Sequence, residues 1–447
     1  ICLTMQLVEK LNSYKKYFTD IINLSVPLIV GNLGQVLIGA TDVFIAAKHS
    51  TNTLAAISIA NSIIFCILIM GMGLMSAISI QMSNMRGNRK PTKKFLITVL
   101  NYSMLLAVIF CTICLLMVPL IPKMGFDPIL VPMIKEYVFI CAFSLFGMYL
   151  YQCLREFLMA YEIVKFPNLI LVIALILNFV LAYSLVFGLG PIPGLGVIGL
   201  ALAAFIVRML MGLILLVYCF DLIHFKNPFD TNLIKQLLKI GYPIGIAMFL
   251  EFLGFNLITI LVGREAGILA ATHNIGVTIT SSAYVIPMSI SAAIAIKVGY
   301  FNGAKNLTEI KRYSLSGTMM SVIFMAFCSV LLLFYPKPIF EIFTSNKEML
   351  ALGLPILHIA AFYLMFDGLQ VSLSGILKGL KMTKVASVSL IAGYWLFGLP
   401  FGYYLAYHYH MSLRGFWIGL ATSFLFMSII FLVVIHRKFA KLKKLYS

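Results

Sequence analysis

Charge is what this sequence has least of. Only 11% of its 447 residues are Asp, Glu, Lys or Arg, and just 15 are acids. A soluble domain carries about a quarter charged residues, so a water-soluble globular protein is excluded. The chain has no GxxxxGK[ST] segment, which excludes a P-loop ATPase, and no HExxH or GxSxG, which removes the common zinc-protease and serine-hydrolase arrangements. The one CxxC, Cys111 to Cys114, lies inside the apolar run CTICLLMVPL and reads as packing rather than as a redox or metal motif. The seven histidines are scattered, and His408 and His410 fall in a connection between apolar runs. MQLVEKLNSYKKYFTD, near the beginning, lacks the long apolar core and small-residue cleavage site of a secretory signal.

What fills the chain instead is apolar. Hydrophobic residues make up 62%, and the mean hydropathy is +1.03, values of a polytopic membrane protein. Apolar runs of about 20 residues or more predict an all-α integral membrane protein with twelve transmembrane helices, near 20–46, 52–82, 94–120, 131–154, 165–188, 196–220, 239–263, 268–298, 313–336, 350–377, 385–408 and 415–436. Ahead of the first, Leu7, Leu11, Tyr14 and Phe18 recur at helical spacing among Lys10, Lys15 and Lys16, which predicts a short amphipathic helix on the membrane surface. Alternate connections hold 25 of the 33 lysines and arginines; the opposite set holds 7, and Arg208 lies within a span. This asymmetry puts both termini in the cytoplasm. It also accounts for the net charge of +18 as a contact with anionic headgroups rather than with nucleic acid.

The sequence repeats itself. SVPLIVGNLGQVLIGA, from Ser25, parallels GYPIGIAMFLEFLGFN, from Gly241, with Pro27 matching Pro243. Leu54-Ala55-Ala56 parallels Leu269-Ala270-Ala271, Gly87 parallels Gly303, and the stretch from Gly196 parallels that from Gly415. Six spans separate the copies, so both insert with the same topology. Two pseudo-symmetric six-helix lobes follow, residues 1–223 and 224–447, joined by His224 to Asn232. Pro27, Pro243, Pro287, Pro355 and Pro400 interrupt the spans; each is a packing kink or a hinge, and Pro27 and Pro243 are the hinge candidates. Gly241 and Gly245 form a GxxxG suited to close helix contact.

Three acids lie within or near the ends of apolar spans: Asp42, Glu251 and Asp367. A charged side chain at the centre of a bilayer costs at least about 2.5–3.5 kcal/mol unless it meets water or a partner. Tyr363 and Gln370 share a helix face with Asp367, and Gln35 shares one with Asp42. Carboxylates and a phenol so placed can take up a proton, or Na⁺ through oxygen ligands, and release either when their surroundings change. Glu251, Tyr363, Asp367 and Asp42 are therefore the candidates for cation coupling and substrate contact; the bland reading is interhelical hydrogen bonding. Asn178, Asn274, Gln35 and Gln370 are candidates to line a cavity; asparagines so placed are more often plain interhelical hydrogen bonds. Arg208 either pairs with an acid or extends its stem toward the interface. Aromatic residues, 13% of the chain, suit flat lipophilic cations where they face a cavity.

VPLIVGNLGQVLIGATDVFIA, LAAISIAN, MFLEFLGFN, LAATHNIG, KVGYFNGAKN, FDGLQVSLSGILKGLKMTK and GYWLFGLPFGYYLA, in that order across twelve spans, resemble the multidrug and toxic compound extrusion (MATE) transporters of the NorM-like branch. The resemblance implies a V-shaped pair of six-helix lobes that export organic cations against inward Na⁺ or H⁺. It places Glu251, Tyr363 and Asp367 at a C-lobe cation site, and Asp42 and Asn178 at an N-lobe one; hard oxygen ligands favour Na⁺ at the first, and a buried carboxylate pair serves H⁺ as well. One departure stands out: GLALAA ends in Ala204 where some relatives have a threonine, which removes a hydroxyl ligand from an N-lobe Na⁺ site.

The expected function is thus secondary active multidrug efflux by alternating access, with no cofactor beyond the coupling ion. The expected partners are small organic cations and membrane lipids, in a monomer of the plasma membrane, the inner membrane of a bacterium. A lipid-linked oligosaccharide flippase of the same superfamily is the alternative; it calls for a cationic cavity, and Arg208 is the one intramembrane cation on offer. A major-facilitator exporter would carry an acid in the loop between spans two and three, and QMSNMRGNRKPTKK has none.

Overall fold

A computed structural model describes residues 2–188, 193–222 and 229–446, without the side chains of residues 2–13, Lys94 and Tyr446. Among the described residues the chain is helical, without strands. Twelve helices are long and apolar enough to cross a membrane. They are α1 Tyr14–His49, α2 Thr51–Gly87, α3 Leu96–Met124, α4 Leu130–Ala160, α5 Lys165–Phe187, α6 Gly196–Tyr218, α7 Thr231–Glu265, α8 Gly267–Gly303, α9 Leu307–Phe334, α10 Lys347–Gly379, α11 Thr383–Tyr407 and α12 Leu413–Leu445. The expected count holds, and the helices overrun the apolar runs that announce them. Backbone hydrogen bonding does not stop where hydrophobicity does, so charged ends such as Lys235 and Lys239 are helical too.

The separate amphipathic helix expected at the beginning is not separate. One helix runs from Cys2 to His49 without a break, since nothing between Tyr14 and Asp20 breaks helical hydrogen bonding; the side chains of Leu7, Lys10 and Leu11 lie outside the described residues. Of the expected linker, residues 224–228 lie outside them as well.

The chain forms two compact units. One comprises residues 27–86 and 90–245, the other residues 1–26, 87–89 and 246–447. Helix α1 passes from one unit to the other between Val26 and Pro27, and α7 between Gly245 and Ile246, two residues beyond Pro243.

In the 27–245 unit the GxxxG of α7 packs directly on α2. A Cβ at Gly241 would lie 2.6 Å from the Leu74 carbonyl oxygen, and one at Gly245 would lie 2.7 Å from that of Met70. Only hydrogen at these positions lets the two backbones approach so closely. Tyr102, Tyr137, Tyr149 and Tyr151 are all buried in this unit. Their hydroxyls are satisfied, Tyr102 by the Leu74 carbonyl and Tyr151 by that of Pro167. Cys111 and Cys114 are buried free thiols.

In the other unit α10 is gripped from two sides. Ser321 of α9 donates to the Gly368 carbonyl at 2.8 Å, Ser329 of α9 donates to that of Ala361, and Ser291 of α8 donates to that of Val371 at 2.7 Å. Gly368 and Gly375 make room: a Cβ at Gly368 would lie 2.7 Å from Met325 Cγ, and one at Gly375 would lie 2.6 Å from Ser291 Oγ. This grip fixes the face of α10 that carries Tyr363, Asp367 and Gln370.

Helix α11 changes character in its middle. Residues Ala392–Gly398 form a π-helical turn, followed by regular helix from Leu399. Pro400 has no N–H for the carbonyl four residues earlier, and its ring crowds that carbonyl. Widening to i→i+5 pairing just ahead of it relieves both problems. The widened turn contains Tyr394 and Trp395.

Candidate functional site

Glu251 lies on α7, partly buried, eight residues beyond Pro243. Its Oε1 accepts a hydrogen bond of 3.2 Å from the Tyr394 hydroxyl in the π turn of α11. The neighbouring Trp395 Nε1 donates to the Leu250 carbonyl at 3.1 Å. The widened turn thus presents two adjacent aromatic donors to two adjacent residues of α7. In a regular helix, consecutive side chains point about 100° apart.

Asp367 and Tyr363, one turn apart on α10, are 5% and 3% exposed, and Gln370 is buried beside them. Asp367 and Glu251 lie within electrostatic reach of each other, and Tyr284 of α8 lies within reach of both. Thr280 of α8 lies against the Tyr363 hydroxyl. Rings close the cluster: Tyr363 stacks on Phe424 at 5.1 Å, Tyr394 meets Phe424 edge-on at 5.7 Å, and Phe255 meets Tyr394 at 6.1 Å. Trp417 lies 6.0 Å from Tyr363 and donates its N–H to His273 Nδ1 at 3.2 Å.

Glu251 and Asp367 form no ion pair among the described residues, and Lys378 of α10 lies within electrostatic reach of Glu251. Two carboxylates within reach of each other repel when both are ionised. A shared proton or a small cation held by carboxylate and phenol oxygens removes the repulsion. The cluster therefore has the chemistry of a site that takes up and gives back one positive charge.

The three residues marked in this half of the sequence are brought together, along with two that were not. In the sequence Tyr394 is one aromatic residue among many. Its signal is the proline six residues on, which forces the turn that aims it. Tyr284, in TSSAYVIPMS ahead of Pro287, carries no comparable mark. Asn274 is exposed and accepts a 3.4 Å bond from Thr259 Oγ1, so it makes the plain bond that the sequence left open.

In the 27–245 unit Asp42 is 4% exposed and accepts a hydrogen bond of 2.8 Å from Asn178 Nδ2. Asn178 Oδ1 is buried without a hydrogen-bond partner. Gln35, seven residues before Asp42, instead places its amide 3.9 Å from the Met72 sulfur. Ala204 is buried and contributes no oxygen.

The family profile described as MatE matches this chain twice, over residues 27–184 and 243–404. The chain belongs to the MatE family. The two matches begin at Pro27 and Pro243, the prolines that the repeat pairs. Among MatE relatives, the multidrug resistance protein NorM of Photobacterium profundum is 27% identical over 428 residues, covering 92% of this chain and 93% of that one. The multidrug resistance protein NorM of Vibrio vulnificus is 28% identical over 428 residues, with the same coverage. In fold, the MatE chain is similar to a multidrug resistance MATE family transporter of the MOP superfamily in an outward-facing conformation, with a TM-score of 0.86 and 20% identity over 96% of this chain and 97% of that one. It is also similar to the eukaryotic MATE transporter AtDTX14, with a TM-score of 0.82 and 18% identity over 97% of this chain and all of that one. The MatE chain is a multi-pass membrane protein of a transporter family, not an enzyme.

Proposed function

We propose that this protein is a secondary antiporter that exports lipophilic organic cations in exchange for inward Na⁺ or H⁺. The observation that carries the reading is the Glu251–Asp367 cluster, two carboxylates without an ion pair of their own, walled by Tyr363, Tyr394 and Phe424. Glu251, Tyr363 and Asp367 hold the coupling ion, with Na⁺ favoured by the hard oxygen ligands; Gln370 lines the site. Aromatic walls favour a flat cationic substrate through cation–π contact and apolar burial. The multidrug names of the NorM relatives support the same substrate class.

Alternating access then rests on two six-helix lobes that rock about Pro27 and Pro243. The division of the chain between Val26 and Pro27, and two residues past Pro243, supports hinges there. The protein works as a monomer in the plasma membrane, with both termini cytoplasmic. An inward monovalent cation gains about 2.3 kcal/mol per 100 mV from the membrane potential, before its concentration gradient is counted.

The test is ethidium transport in proteoliposomes of controlled orientation, with a Na⁺ gradient and a pH gradient imposed separately. Acceleration by inward Na⁺ alone, lost in Asp367→Asn, is expected. Acceleration by H⁺ alone keeps the antiporter and reassigns its ion. Indifference to both gradients overturns the reading.

A further inference from the structure

Trp417 is fully buried near the start of α12, yet its indole N–H has an acceptor. It donates to Nδ1 of His273 on α8 at 3.2 Å, with the rings edge to face and their centroids 5.8 Å apart. An indole nitrogen only donates, so Nδ1 carries no proton and the proton of the neutral imidazole sits on Nε2. His273 is itself fully buried, and its Nε2 has no hydrogen-bond partner, although the Phe255 carbonyl of α7 lies nearby. An unmet buried donor costs stability, and an apolar side chain of similar size would avoid that cost. Filling space therefore does not account for a histidine here; the acceptor it gives Trp417 does. Gly276, one turn along α8, opens the slot: a Cβ there would lie 2.7 Å from Trp417 Cζ2 and 2.9 Å from Cη2. The indole so held lies 6.0 Å from the Tyr363 ring, and Tyr363 also stacks on Phe424 at 5.1 Å.

We propose that His273 is a positioning residue of the candidate site: its Nδ1 orients the Trp417 indole, and the indole holds the Tyr363 ring in the aromatic wall that meets a flat cation. The inference rests on the reading of that wall as a substrate surface. His273 touches neither substrate nor ion. It acts through Trp417, so the site needs an acceptor at the δ position rather than an imidazole as such.

Ethidium exchange by the full-length protein in proteoliposomes, driven by whichever gradient the wild type uses, tests this, with KM and kcat measured beside the unfolding midpoint. His273→Leu keeps the bulk and removes the acceptor. It should raise KM by about threefold to tenfold, the loss of one hydrogen bond, with kcat changed far less. His273→Asn restores an acceptor at the δ position on a smaller side chain. KM should then return most of the way, while the midpoint stays lowered by the cavity. In a Trp417→Phe chain, which has no N–H to orient, His273→Leu should change KM no further. A KM that follows the midpoint across the variants, or a His273→Leu effect of equal size in the Trp417→Phe chain, overturns the proposal. Should His273→Leu not fold, His273→Asn decides: a KM near that of the wild type supports the positioning role, and one as high as in Trp417→Phe overturns it. Failure of the antiport reading would show in the wild type as indifference to both gradients. The same variants are then compared by ethidium binding to the purified protein, with the dissociation constant in place of KM. A wild type that does not bind ethidium overturns the proposal as well.

Discussion

The Tyr394 hydroxyl donates to Glu251 Oε1 at 3.2 Å, a bond that joins residues 143 apart in sequence and makes the π turn of α11 part of the candidate site. A turn that widens a helix costs regular hydrogen bonding, and such turns concentrate at functional positions. Here the reason for the widening, Pro400, and its effect, the aim of Tyr394, are both visible.

Tyr394→Phe keeps the ring against Phe424 and Phe255 and removes only the donor. A hydrogen bond to a charged group contributes about 1.5–3 kcal/mol, and about 1.4 kcal/mol is a factor of ten. Ethidium exchange should fall by about tenfold or more, and the unfolding midpoint should drop by a few degrees. An unaltered rate would mean that Glu251 does not depend on this donor.

Trp395 and Trp417 are the two tryptophans of the chain, and both border the cluster, one bonded to the Leu250 carbonyl and the other 6.0 Å from the Tyr363 ring. The protein therefore reports on this site without a label. Adding the coupling ion to the purified protein should change its intrinsic fluorescence saturably, and Asp367→Asn should abolish the change. Trp395→Phe and Trp417→Phe, made singly, should apportion the signal. A response that survives Asp367→Asn would place ion binding elsewhere.

Much of this was legible in the sequence, for identifiable reasons. Hydrophobic runs announce spans because a bilayer tolerates only satisfied backbone, so twelve runs gave twelve helices. Glu251 and Asp367 were marked by the cost of an acid in an apolar run. Asn178 could be marked as polar within a span, but that its amide lies 2.8 Å from Asp42 depends on packing between helices 136 residues apart. Tyr394 was hidden because 13% of the chain is aromatic, and a ring facing lipid reads like one facing a carboxylate. The early amphipathic segment does not read as part of the first span, because surface charge marks where a helix leaves the membrane, not where it ends.

Gly368, next to Asp367, admits α9 to α10. A Cβ there would press on Met325 and on the Ser321 carbonyl, 2.7 and 3.2 Å away. Overpacking of this kind costs about 1–3 kcal/mol. Gly368→Ala should lower the unfolding midpoint and slow transport together, and Met325→Ala in the same chain should restore part of both. Loss of transport with an unchanged midpoint would assign Gly368 to flexibility rather than to packing.

Residues 14–26 belong to the unit of residues 246–447 although they lead directly into the other. Tyr17 donates to Glu309 Oε1 at 2.7 Å and accepts from Arg312 Nη1 at 2.9 Å. Asp20 accepts from the Tyr313 hydroxyl at 2.5 Å, with Lys297 Nζ at 3.8 Å. Beneath these polar contacts Ile21 is fully buried, close to Gly317 of α9, whereas Ile22 is 45% exposed. Truncating a buried isoleucine costs about 2–5 kcal/mol, and truncating an exposed one far less. Ile21→Ala should therefore lower the unfolding midpoint markedly and Ile22→Ala hardly at all. Tyr313→Phe should fall between them, since a hydrogen bond to a charged group contributes about 1.5–3 kcal/mol. Because these residues lie on α1 a few positions before Pro27, Ile21→Ala should also open the segment to maleimide labelling at a cysteine introduced in place of Tyr17, in a chain whose native cysteines are replaced. Equal effects of the two alanine variants would show that the segment is not held by the buried face of α1.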